Sequence, residues 1–149
     1  MSVVSAPPMQ LIHQPRTINE LASALESQAL IRTIVRDADG LLLCGQCCVA
    51  MVADTTLQEA IIAVGHIGAT TAEMLIDALA LFSIKSNLRE FEPSNVPPVC
   101  IIRSSESEIA AHWTLRCGDF EYNPHLMAPV TFSLVNFQSA QSLVEVVTQ

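Results

Sequence analysis

Hydrophobic residues in the first half of the chain recur mostly at the three- and four-residue spacing of amphipathic helices. Thr-x-x-Glu capping boxes begin at Thr17, Thr56 and Thr70, and each precedes such a segment. A further segment, from Cys44 to Val52, is almost wholly apolar and ends at a polar Asp-Thr step. The pattern predicts helices over 17–28, 44–52, 56–64 and 70–82, with a short strand over 30–35.

The second half of the chain changes to the two-residue alternation of β-strands. The pattern predicts strands over 86–92, 99–103, 110–116, 120–122, 129–137 and 142–147, the last of them weaker than the one before. A Cys-Gly-Asp turn at 117–119 joins two of them as a hairpin. Helices followed by strands predict an α+β fold, with N-terminal helices packed on one side of an antiparallel sheet. Residues 1–16, with three prolines, are expected to form an irregular arm, and residues 17–149 a single domain.

Composition narrows the class of protein. Half of the 149 residues are hydrophobic, which favours a packed core, yet no apolar run reaches the roughly 18 residues that a membrane span needs. The net charge is −8 and no cluster of Lys and Arg occurs, which argues against nucleic-acid binding. No Sec-type signal is visible at the start of the sequence. A cytoplasmic protein is expected, although an effector secreted by a signal-free route would have the same composition.

The cysteines point to free thiols. Their number is five, and three of them lie within residues 44–48, whereas disulfide frameworks use an even number spread along the chain. Cys44 stands at the predicted start of an apolar helix, where the positive end of the helix dipole favours the thiolate. His112 follows on a predicted strand, and Asn123 comes directly after the hairpin. A thiolate, an imidazole and a carboxamide are the groups with which thiol hydrolases attack a carbonyl carbon and move a proton.

Two motifs resemble those of one known family. The segment Cys44-Gly-Gln-Cys-Cys-Val-Ala-Met51 resembles the Cys-Gly-x-Ala-Cys-x-Ala-Met box of the bacteriocin-processing peptidases, the papain-like family that trims double-glycine leaders. That family's second motif is His-Trp, then a glycine turn and Tyr-Asp-Pro. The corresponding residues here are His112-Trp113, Gly118 and Tyr122-Asn123-Pro124. The resemblance covers roughly residues 35–124.

The resemblance implies a papain-like fold and a cysteine hydrolase that cleaves a peptide or amide bond through an acyl-thioester. It assigns Cys44 as nucleophile, His112 as general base and Asn123 as the orienting group, with a peptide or protein substrate and no cofactor. Peptidases, deamidases and transferases share this triad, so the reaction subclass and the oligomeric state stay open.

One departure from the family pattern favours a second hypothesis. The family has a glutamine a few residues before the nucleophile, which donates to the oxyanion, and here that position is Asp37. Gln46 is two residues past Cys44, and its sequence position does not place it in the oxyanion hole. A carboxylate would repel the developing negative charge. The alternative is therefore a catalytically degenerate domain that binds a peptide or protein partner without turnover.

Several residues have competing interpretations. Cys47 is the rival nucleophile, and Cys44 with Cys47 also fits the C-x-x-C pattern of redox and zinc sites. A zinc site would need a second cysteine pair, which the chain lacks, so no metal is predicted. Trp113 is expected either in the core or as the wall of a pocket. The other cysteines are expected to be packing residues.

If the hydrolase hypothesis holds, Asp37→Gln should raise activity. Loss of one oxyanion donor typically costs about 10²–10³ in kcat, so its restoration has room for a large gain. The measurement compares turnover of the two proteins on one peptide substrate. A variant that folds normally and gains nothing would mean that residue 37 does not lie at the oxyanion position.

Overall fold

The structure is a computed structural model that describes residues 43–105, 111–126 and 128–147. The predicted arm over 1–16, the helix over 17–28, the strand over 30–35 and Asp37 lie outside the described residues. In the described part, three helices precede an antiparallel sheet, as the change of hydrophobic period predicts. The α+β class is confirmed.

The three helices begin and end near their predicted limits. They are α1 (Cys44–Ala53), α2 (Leu57–Val64) and α3 (Ala72–Leu81). Asp54 ends α1 in the left-handed conformation, at φ 56°. The Thr56 side chain accepts a hydrogen bond from the main-chain N–H of Glu59, and Gly65, at φ 75°, ends α2. Both predicted ends of α2 are therefore confirmed.

The predicted cap of α3 is wrong by one residue. Thr71, not Thr70, is the N-cap, and its hydroxyl oxygen accepts a hydrogen bond from the main-chain N–H of Met74 at 3.2 Å. Thr70 is buried instead, and its hydroxyl lies against Gly45 of α1. Two adjacent threonines offer the same capping chemistry, and packing against α1 decides between them.

Six strands make up the sheet in the described part of the chain. They are β1 (Ser86–Glu90), β2 (Val99–Ser105), β3 (Ala111–Cys117), β4 (Phe120–Tyr122), β5 (Val130–Thr131) and β6 (Ala140–Val146). Their order across the sheet is β1-β6-β2-β3-β4-β5, and every neighbouring pair is antiparallel. The predicted hairpin between β3 and β4 is confirmed.

The two last strand predictions are wrong in extent. Only Val130–Thr131 of the predicted strand over 129–137 is extended, and Leu134–Phe137 forms a 3₁₀ helix. The buried carboxylate of Glu121 explains this bend, because it accepts hydrogen bonds from Ser133 N and Asn136 Nδ2. The last strand begins at Ala140 and lies between β1 and β2, so the segment predicted to be weaker is a central strand.

The helices cover one face of the sheet. Hydrophobic residues of α1 and α3 pack there against alternate residues of the central strands, among them Ile101, Trp113, Leu115, Val144 and Val146. The other face carries a smaller cluster of Cys100, Ile102, Phe137 and Leu143. No single helix in the described ranges is long and apolar enough to cross a membrane. The pair α1 and α2 would pass that test together, but it bends by 111° at its break.

Gly45 sits where α1 and the segment before α3 touch. A methyl group added there would collide with Thr70 Oγ1 and would lie 3.2 Å from a methyl carbon of Leu75. Alanine is favoured over glycine inside a helix by about 1 kcal/mol. Overpacking of this kind costs about 1–3 kcal/mol, so the collision outweighs that gain.

We predict that Gly45→Ala lowers the free energy of unfolding in the wild-type background and is neutral or stabilising in a Thr70→Ala background. Urea denaturation of the two single variants and the double variant measures this coupling. Purely additive effects would contradict the described contact between Gly45 and Thr70.

Candidate functional site

Cys44 is the first residue of α1. The preceding residue, Leu43, provides no side-chain cap, and the first turn carries no acidic residue. The thiol therefore lies at the positive end of the helix dipole with no side-chain carboxylate in its own turn. Cys44 is 6 % exposed, whereas Cys47, the rival nucleophile one turn further along, is completely buried. The geometry favours Cys44 over Cys47 for contact with a molecule from solvent.

The Cys44 sulfur lies against the main chain beside His112. The N–H of Trp113 donates a hydrogen bond to Cys44 Sγ at 3.4 Å. Strand β4 ends at Tyr122, which pairs with Leu115 of β3, so no β4 residue lies beside Trp113. The N-terminal turn of α1 occupies the place that a longer β4 would fill, and the sulfur accepts the N–H that a strand would otherwise bind.

The side chains of His112, on β3, and Asn123, just past the end of β4, lie against each other. His112 Nε2 lies 2.8 Å from Asn123 Oδ1, and the histidine is 6 % exposed. The main-chain N–H of His125 also donates to Asn123 Oδ1, at 2.9 Å, in an Asx turn. Because a main-chain amide only donates, the shared atom is the carboxamide oxygen, so Nε2 carries a proton. The hydrogen bond at Nε2 therefore requires either the Nε2-protonated tautomer or the charged imidazolium.

His125 is a site residue that the sequence did not reveal. Its ring centroid lies 4.3 Å from that of His112, with the planes inclined by 35°. The Asx turn holds it there, since Asn123 binds the main chain of His125 and the side chain of His112 through one oxygen. The only available sequence signal is the Asn-Pro-His order, in which the residue two after Asn returns toward the carboxamide.

The side-chain amide of Gln46 is bound to a loop and has no hydrogen left for an oxyanion beside Cys44. Its side chain is completely buried, and Nε2 donates to the carbonyl oxygens of His66 at 2.9 Å and of Gly68 at 3.1 Å. Both amide hydrogens are therefore committed to the loop between α2 and α3. Asp37, the other residue considered for the oxyanion region, lies outside the described residues.

Trp113 belongs to the core rather than to a pocket wall. Its ring is buried on the helix-covered face among residues of α1 and the central strands. Adjacent residues of a strand face opposite sides of a sheet, so the Trp113 ring and the His112 ring diverge. Only the main-chain N–H of Trp113 takes part in the site.

The remaining cysteines are buried free thiols. Burial raises the pKa of Cys48 well above its usual range, and negative charge on Cys44 or Cys47 would raise it further. Burial also raises the pKa of Cys100, to about 12, against the opposing effect of Arg116. Both groups are therefore thiols at neutral pH. Among the described residues, no group of three or more His, Cys, Asp and Glu side chains is arranged to hold a metal ion.

Comparison with known proteins finds no matching family model and no significant match among curated proteins. The resemblance to papain-like peptidases thus stays a hypothesis that depends on the motif residues. What the structure adds is their arrangement: the N–H of Trp113, next to His112 in the chain, binds the Cys44 sulfur, His112 binds Asn123, and Gln46 is bound to a loop instead.

We predict that Asn123→Ala slows alkylation of Cys44 by about 10²-fold, because a misplaced imidazole costs on that order. Asn123→Asp should keep the rate near that of the wild type at neutral pH, since a carboxylate accepts the same two hydrogen bonds. The carboxylate also favours the charged imidazole, so the thiolate–imidazolium pair should persist to higher pH and the alkaline limb of the pH profile should move upward. The measurement is the alkylation rate from pH 5 to 9. Equal loss in both variants would contradict an orienting role for Asn123.

Proposed function

We propose that the protein is a papain-like cysteine hydrolase that cleaves a peptide or amide bond. One observation carries the proposal. The main-chain N–H of Trp113, the residue after His112, binds the Cys44 sulfur, and His112 Nε2 binds the side-chain oxygen of Asn123. The helix-on-sheet arrangement is consistent with a papain-like fold, with the nucleophile at a helix N-terminus and the base on a strand. The position of Cys44 at a helix start and of His112 on a later strand agrees with the order of the motifs in the sequence.

In the proposed reaction, the Cys44 thiolate attacks the carbonyl carbon of the scissile bond, and the C=O π electrons move to oxygen. The tetrahedral intermediate collapses, the C–N bond breaks, and the His112 imidazolium gives its proton to the leaving amine. An acyl-thioester on Cys44 remains. His112 then takes a proton from water as its oxygen attacks the thioester, and the acid product leaves with Cys44 restored as thiolate and His112 as imidazolium.

The oxyanion would be stabilised by main-chain amides rather than by a glutamine side chain. The first N–H groups of a helix make no hydrogen bond within the helix, and Leu43, the N-cap residue of α1, supplies no side-chain cap. With Asp37 in the sequence and Gln46 bound to a loop, these amides are the donors that the hypothesis requires.

A second candidate function is a domain that binds a peptide or protein without turnover. Asp37 favours it, because a carboxylate at the expected oxyanion position opposes catalysis. The low exposure of Cys44 and His112 points the same way, since a substrate carbonyl must reach the sulfur.

Iodoacetamide at neutral pH distinguishes the two functions. A hydrolase should be alkylated rapidly and selectively at Cys44, because a thiolate is the reactive form, while Cys48 and Cys100 stay protonated and slow. His112→Ala should slow this alkylation by about 10²-fold or more, the usual scale of a general base. Intact mass with peptide mapping gives the rate and the site.

The control is Cys47→Ala, which should leave the mass shift and the rate at Cys44 unchanged. Alkylation of Cys44 no faster than that of Cys100, or a rate that His112→Ala leaves unaltered, would contradict the hydrolase and favour the binding domain.

A further inference from the structure

Two further cysteines of α1, Cys47 and Cys48, lie about one turn from Cys44 and take no part in the proposed reaction. Both are completely buried, and all three are free thiols. Residues three and four apart on a helix are neighbours on its surface, so both side chains flank that of Cys44. Charge effects agree with this closeness, because negative charge on Cys44 or on Cys47 would raise the pKa of Cys48. The first turns of α1 therefore hold a cluster of three thiols.

Cys44 is the member of this thiol cluster that a small oxidant reaches. It is 6 % exposed, and its sulfur accepts a hydrogen bond from the main-chain N–H of Trp113, which stabilises a thiolate. The start of the helix favours the thiolate as well. Peroxides oxidise thiolates, and hydrogen peroxide is hardly larger than a water molecule. A peroxide therefore needs much less room at this sulfur than a peptide carbonyl does.

Helix geometry makes Cys47 the better of the two partners for a bond to Cys44. On an ideal helix, the Cβ atoms of residues three apart are separated by about 5.5 Å, and those of residues four apart by about 6 Å. A disulfide needs Cβ atoms within roughly 4.5 Å of each other. Both candidates are buried, so spacing decides between them, and Cys47 has the shorter distance to close. The first residue of a helix is also held by fewer main-chain hydrogen bonds than later ones, which leaves Cys44 free to approach.

We propose that Cys44 and Cys47 are a modification site for peroxides, in which the sulfur of Cys44 is oxidised and that of Cys47 resolves the product to a disulfide. The C-x-x-C spacing at a helix start is the arrangement of redox-active dithiols. The reaction needs a reactive thiol at residue 44 and no hydrolytic turnover, so the proposal goes beyond the hydrolase function.

The oxidation takes two steps. The Cys44 thiolate attacks one oxygen of hydrogen peroxide, the O–O bond breaks, and the other oxygen leaves as hydroxide, which takes a proton from solvent. Cys44 is then a sulfenic acid. In the second step Cys47 loses its proton and its sulfur attacks that of Cys44. The S–O bond breaks, and the departing hydroxide combines with the proton from Cys47. The two sulfurs have lost two electrons, and the peroxide that gained them has become water.

The disulfide would close the site reversibly. Another thiol returns a disulfide to two thiols by exchange, whereas sulfinic and sulfonic acids do not return in this way. Cys47 would therefore protect the one sulfur that the proposed hydrolase needs in its reduced form. This gives a buried thiol beside the nucleophile a chemical role that packing alone does not supply.

Peroxide treatment followed by N-ethylmaleimide, which blocks the remaining thiols, tests the proposal. Mass spectrometry of the peptide that spans α1 identifies the products. The wild-type peptide should lose two hydrogen atoms, keep a single thiol to block, and recover the other two thiols after dithiothreitol. With the same dose, Cys47→Ala should form at least about fivefold more sulfinic and sulfonic acid at residue 44, because no neighbouring thiol captures the sulfenic acid.

Cys48→Ala is the matched control, because Cys48 is as buried as Cys47 and lies on the same helix. This variant should form the disulfide and resist over-oxidation as the wild type does. The iodoacetamide rate at Cys44 without peroxide should be the same in all three proteins, which checks that neither substitution disturbs the start of α1.

The outcomes that would overturn the proposal are distinct. A disulfide that persists in Cys47→Ala and is lost in Cys48→Ala would make Cys48 the resolving residue. A wild type that forms no disulfide, with residue 44 over-oxidised to the same extent as in Cys47→Ala, would exclude the pair altogether. Either result leaves the hydrolase function standing if iodoacetamide still selects Cys44, so the two proposals fail by different measurements.

Discussion

The site depends on one structural constraint: strand β4 is too short to accompany β3 along its whole length. Where β4 stops at Tyr122, the main-chain N–H of Trp113 is left for another acceptor, and the sulfur of Cys44 takes it. This contact joins a helix N-terminus to a strand that is nearly seventy residues away along the chain. The strand residue before Trp113 is His112, so the same contact places the thiol against the main chain next to the residue that bears the imidazole.

The short strand also explains the position of Asn123, the third residue of the proposed triad. Asn123 is the first residue after β4, and its Asx turn directs the carboxamide oxygen toward His112. One oxygen then binds the side chain of His112 and the main chain of His125, whose ring covers that of His112. A turn that ends the strand therefore also orients the His112 ring. In the same helix turn as the thiol, Gln46 fastens the loop between α2 and α3 to α1.

The sequence predicts the parts of this arrangement that depend on local chemistry. Helix periodicity, the N-cap at Thr56 and the turn at Gly118 each act within a few residues, and the structure confirms them. Features decided by distant contacts were predicted wrongly or missed. Thr70 was expected to cap α3 but packs on α1, and the last strand lies in the centre of the sheet because two other strands pair with it. The contact between the rings of His125 and His112 depends on the folded chain, so residue spacing alone does not predict it.

The central claim is spatial, and a bifunctional reagent tests it most directly. 1,3-Dibromoacetone alkylates a reactive thiol with one end and then an adjacent nucleophile with the other, so it joins two side chains only when they face each other. The arrangement described here predicts a single intramolecular crosslink between Cys44 and His112, found by peptide mapping and absent in His112→Ala. Attachment at Cys44 without a crosslink, or a crosslink from Cys44 to another residue, would show that thiol and imidazole do not meet.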